Sequence, residues 1–82
     1  MATKVDVQDW ILEALGSAGG SAPLVDVCKR IWSSHEGDLR ASGDLFYTWQ
    51  YNTRSAAHQL RRGGLIRQVA SSPKGVWELA RN

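Results

Sequence analysis

Apolar residues first recur at helical spacing between Val5 and Ser17, where Val7, Trp10, Ile11, Ala14 and Leu15 line one face. Gly16, Gly19 and Gly20 end that pattern, and Asp6 and Asp9 stand in the first turn, where the helix dipole favours carboxylates. Ser21-Ala22 reads as a short extended piece. A second helix is expected from Pro23, a residue suited to a helix's first turn, with Leu24, Val27, Cys28, Ile31 and Trp32 as its apolar stripe. Cys28 on that stripe reads as a small buried filler. The polar run His35–Gly43 reads as a connector, and its His35, Glu36 and Asp38 as a flexible trio.

Asp44 or Thr48 is expected to cap a third helix that stops at Gly63-Gly64. Placed at roughly 100° per residue, Trp49, Asn52, Thr53, Ala56, Leu60 and Gly63 share one direction and form its inner face. Tyr47, Tyr51, Arg54 and His58 fall opposite, flanked by Gln50, Arg61 and Arg62. The pattern then turns to strands: Leu65–Val69 and Val76–Leu79, joined by the turn-rich Ala70–Gly75. The order helix, helix, helix, hairpin predicts an α+β, mostly helical fold. More sharply, it predicts a winged helix-turn-helix: three helices plus a C-terminal β-hairpin wing, as a single domain over 1–82. Trp77 is expected to point inward from its strand.

Charge changes the picture more than composition does. The net charge is only +2, with 43% hydrophobic and 22% charged residues, which is a globular balance. Residues 1–28, however, carry Lys4 against Asp6, Asp9, Glu13 and Asp26, a net −3. Residues 45–82 carry Arg54, Arg61, Arg62, Arg67, Lys74 and Arg81 against Glu78, a net +5. A cationic second half points to an anionic partner. The expected third helix has no carboxylate, whereas a solvated helix face ordinarily mixes both signs.

A major groove admits a helix whose outward face offers donors and acceptors without repelling phosphate. The candidate DNA-binding residues are therefore Tyr47, Thr48, Gln50, Tyr51, Arg54, Ser55, His58, Arg61 and Arg62 on a recognition helix of about 48–62. Ser71, Ser72 and Lys74 join them on a wing at 70–75 that would meet backbone or minor groove. Arg54 suits guanine and Gln50 adenine, while Arg61 and Arg62 are placed for phosphates. Tyr47, Trp49 and Tyr51 are candidates to sense a methyl group in the groove.

A single Cys excludes an internal disulfide and a cysteine zinc site. No apolar run approaches the roughly 20 residues of a membrane span, so a cytoplasmic location without membrane contact is expected. No phosphate loop, carboxylate pair or metal-ligand spacing is present, so neither enzyme activity nor a cofactor is expected. Val5 and Leu12 lie off the first helix's main stripe. This keeps open a protein-interaction or dimerisation module as the alternative, with a small transcriptional regulator as another.

The run Trp49…Arg54-Ser55-Ala56-Ala57…Leu60…Gly63-Gly64-Leu65-Ile66, followed by Lys74-Gly75-Val76-Trp77-Glu78-Leu79, resembles the N-terminal winged-helix domain of Mrr-type restriction endonucleases. Ile11–Leu15 with Gly19-Gly20 fits that family's first helix. The resemblance implies the target-recognition part of a restriction system, one directed at modified DNA. Any nuclease would lie in a separate, covalently linked domain from which this one was excised. Where the family's last strand usually continues into Thr and Gly, this chain has Ala80-Arg81-Asn82.

Overall fold

The computed structural model describes residues 4–68 and 75–80. Three helices and two short strands follow in the order α1 (Lys4–Ser17), β1 (Ser21–Pro23), α2 (Leu24–Arg40), α3 (Leu45–Arg62) and β2 (Val76–Glu78). The fold is α+β and mostly helical, with a two-stranded antiparallel sheet among the described residues.

The stripe read from the first segment is buried in full: Val7, Trp10, Ile11, Ala14 and Leu15 all lie in the core. Leu12 is half-buried and packs against that core, whereas Val5 is exposed. α1 ends in a glycine turn of the Schellman type. Gly20 N donates to Leu15 O (2.8 Å) and Gly19 N to Gly16 O (3.2 Å). Gly19 holds φ +86°, a conformation that costs a residue without Cβ least. The turn delivers the chain into β1 with Ala22 buried.

β1 pairs with β2 in the register Ser21↔Glu78, Ala22↔Trp77, Pro23↔Val76. On the other edge of the 75–80 segment, Ile66 bridges Leu79, with Arg67 N donating to Glu78 O (2.8 Å) and Ala80 N to Leu65 O (3.1 Å). The C-terminal strand therefore lies between two extended pieces. Of the expected strand 65–69, only this single bridge forms among the described residues. Gly64 at φ +76° turns the chain so that Leu65 faces solvent, and Ile66 alone enters the core. Val69 and the wing residues 70–74 lie outside the described residues.

Pro23 ends β1 and stands at the N-cap of α2 with an extended backbone, a position where its missing N–H is harmless. The expected connector 35–43 is the largest departure from the sequence reading, because α2 runs on to Arg40. Helical geometry lapses at His35 alone (φ −129°, ψ 19°), and the helix resumes beyond it. Three interactions hold the extension. Leu39 is fully buried, Arg40 Nε pairs with Glu36 Oε2 one turn back (2.8 Å), and the His35 ring stacks on Trp10 of α1 (4.1 Å between centroids, 11° apart). His35 Nε2 also meets Glu13 Oε1 at 3.2 Å, and Nδ1 lies 3.8 Å from Asp38 Oδ2. Of the supposed flexible trio, His35 is the clasp between α1 and α2, while Glu36 holds Arg40 within α2 and Asp38 lies beside His35.

α3 packs chiefly on α1 and buries Leu45, Trp49, Asn52, Thr53, Ala56, Ala57 and Leu60. Gly63, expected in this inner arc, is exposed at the helix end. Asp44 occupies the N-cap, but its side chain makes no capping bond. Its helical backbone (φ −61°, ψ −29°) lets tight i to i+3 bonds close the first turn instead, Tyr47 N to Asp44 O among them (3.0 Å). Thr48 sits inside the helix, where its hydroxyl donates to Asp44 O and accepts from Asn52 Nδ2 (3.1 Å).

Candidate nucleic-acid interface

The outer face of α3 follows from its inner one. With every third or fourth residue turned onto α1, the residues between them must face solvent. Tyr47 is 83% exposed and Tyr51 76% exposed, and Thr48, Gln50, Arg54, Ser55, His58 and Arg62 are exposed with them. This ridge carries two cations, an imidazole, an amide, hydroxyls and two phenols, and α3 contains no carboxylate. The 35–43 segment does not cover it: Arg40 of that segment lies over Phe46, and the ridge residues remain exposed.

Two candidates stand elsewhere. Trp49 is only 6% exposed and stacks near-parallel to Trp32 of α2 (6.1 Å, 13°), so the expected trio of methyl-sensing rings is split and only Tyr47 and Tyr51 share the ridge. The i, i+2 spacing from Tyr47 puts Trp49 on the opposite side of the helix. Arg61 is half-buried, with its guanidinium over the Trp77 ring at 5.7 Å. Its Nε is buried and finds no hydrogen-bond partner. Arg61 braces β2 more than it extends the ridge. Ser71, Ser72 and Lys74 lie outside the described residues.

The structure also brings together residues that sequence reasoning kept apart. Between α2 and α3 runs an open groove of about 650 Å³, walled by Val25, Cys28 and Trp32 on one side and Phe46, Trp49 and Arg54 on the other. Trp32 and Phe46 lie 6.2 Å apart, and the Arg40 guanidinium sits over both rings at 5.2 and 5.6 Å. Val25 stands at the rim, 61% exposed. The available signal was the aromatic load on two neighbouring helices, where Trp32, Phe46 and Trp49 exceed what one inner face can absorb. Burial pushes the Cys28 thiol above its ordinary pKa, and the Arg54 charge pulls partly against that shift.

Among the described residues, no three His, Cys, Asp or Glu are grouped to hold a metal ion, and no helix is long and apolar enough to cross a membrane. No protein-family model, curated protein or solved structure matches the chain.

Proposed function

We propose that this domain binds double-stranded DNA as a winged helix-turn-helix module, with α3 in the major groove and the 70–75 segment as a wing along the backbone or minor groove. The observation that carries this reading is the exposed, carboxylate-free ridge Tyr47–Gln50–Tyr51–Arg54–His58–Arg62. Arg54 reads guanine as a bidentate donor, Gln50 reads adenine, and Arg62 near the end of the helix takes a phosphate. The sheet formed by β1, β2 and the Ile66–Leu79 bridge supports the winged-helix reading, because Ile66 and Leu79, on either side of the 70–75 segment, pair antiparallel. The resemblance to Mrr-type N-terminal domains supports a role in a restriction system, with Tyr47 and Tyr51 as the rings that meet a methylated base.

The test is a fluorescence titration with random, defined and methylated duplexes over a range of salt. Engagement of about four phosphates gives a slope of log K against log salt near −3.6. Arg54→Ala should weaken binding by roughly five- to a hundredfold while leaving the circular dichroism spectrum unchanged, since the side chain is exposed. No duplex affinity at low salt, or an affinity indifferent to salt and to Arg54, overturns the reading. Equal affinity for methylated and unmethylated duplexes removes only the methyl-sensing part.

A further inference from the structure

The groove between α2 and α3 is far larger than the task of sensing a methyl group requires. A water molecule's share of liquid volume is about 30 Å³, a methyl is of similar size, and the groove holds about 650 Å³. Its lining is aromatic: Trp32 stacks on the buried Trp49 (6.1 Å, 13°), and Phe46 lies 6.2 Å from Trp32. Its polar groups are Gln50, which both donates and accepts, and the cations Lys29 and Arg54; no carboxylate lines it. The Arg40 guanidinium, held by Glu36, braces Trp32 and Phe46. A flat heterocycle with a nearby negative charge satisfies each of these features together. The rings stack, the amide meets a base edge, and the cations meet phosphate.

We infer that this groove takes an unpaired nucleobase carried out of the stack of the DNA lying against α3, laid against the half-buried Trp32 and Phe46 rings with its phosphate on Lys29 or Arg54. This inference rests on the DNA-binding reading, because Gln50 and Arg54 belong both to the ridge and to the groove wall, so the nearest heterocycle is one from that duplex. Extruding a base costs unpairing and unstacking, least where the base is already mismatched or bulged. The groove therefore makes the domain prefer damaged or distorted duplexes over perfect ones.

The experiment compares a matched duplex with the same duplex carrying one bulged base, for the unaltered protein and for Trp32→Leu, which keeps an apolar filler but removes the flat ring. The bulged duplex should bind about tenfold tighter to the unaltered protein, and Trp32→Leu should lose that preference while keeping its affinity for the matched duplex. In the unaltered protein, the indole N–H resonances of Trp32 and Trp49 should shift with the bulged duplex and not with the matched one, with Trp10 still. This second readout does not depend on the variant folding. Equal affinity for the two duplexes, or still indoles at Trp32 and Trp49, overturns the groove proposal and leaves DNA binding intact. Failure to bind any duplex overturns both. Self-association abolished by Trp32→Leu assigns the groove to a second copy and likewise overturns the proposal.

Discussion

Cys28 reports on the groove from within. Its thiol is half-buried among rings, and burial holds its pKa above the usual value while Arg54 draws it partly back. The thiolate is the nucleophile, so iodoacetamide at neutral pH should modify Cys28 more slowly than the thiol of the urea-unfolded chain. The rate should climb as the pH rises through the raised value. Arg54→Ala removes the opposing charge and should slow the reaction further. A faster reaction in that variant would show that Arg54 does not act on the thiol. Because the folded chain holds this proton more tightly than the unfolded one, the associated stability is full below the unfolded thiol's pKa and is lost as the pH rises through the folded one. Residue by residue, side chains whose position follows from helical or strand period alone were legible: Trp49 inward, Tyr47 and Tyr51 outward, Trp77 buried. Arg61 was not, because a long side chain can fold back along an apolar ring and its Cβ direction does not say so.

At the scale of elements, α1 and α3 both end in glycine turns, and these are the features most exposed to a single substitution. At the end of α3, Leu65 N donates to Leu60 O (2.9 Å) and Gly64 N to Arg61 O (3.1 Å), with Gly64 at φ +76°. No atom lies within 4 Å of a Cβ built there, so space is not the obstacle. Gly64→Ala should cost about 1 kcal/mol through backbone strain alone, seen in urea unfolding as a lower midpoint at unchanged slope. A neutral result would mean that the turn relaxes into another conformation. These helix ends were legible because glycine signals them directly. The continuation of α2 was not. Its hydrophilic run hides one buried leucine, Leu39, and depends on contacts from α1 that no local pattern contains. The single Ile66–Leu79 bridge in place of a full strand has a similar origin, since the Gly64 turn sets how much of the segment can reach its partner.

Across the whole molecule, the charge asymmetry of the sequence becomes a division of labour. The acidic first helix and the cationic third pack on each other through apolar side chains, and their polar faces are left to solvent. Under the proposed reading, α1 carboxylates affect DNA only through their field, not by contact. Asp9→Asn should therefore raise duplex affinity less than about threefold at low salt, with the gain fading as salt screens it. The phosphate count, and so the salt slope contributed by the ridge, should stay the same. A large effect persisting at high salt would instead place α1 at the interface.

The antiparallel pairing of Ser21–Pro23 with Val76–Glu78 joins two stretches with both long helices between them. On a ribosome, β1 emerges early and has no strand to pair with until the far end of the domain is made. Without residues 76–79 the helices can gather only around an open seam, with the place of Trp77 empty. A chain truncated before residue 76 should display that apolar seam, which makes the form lacking its last strand the one that most needs a chaperone.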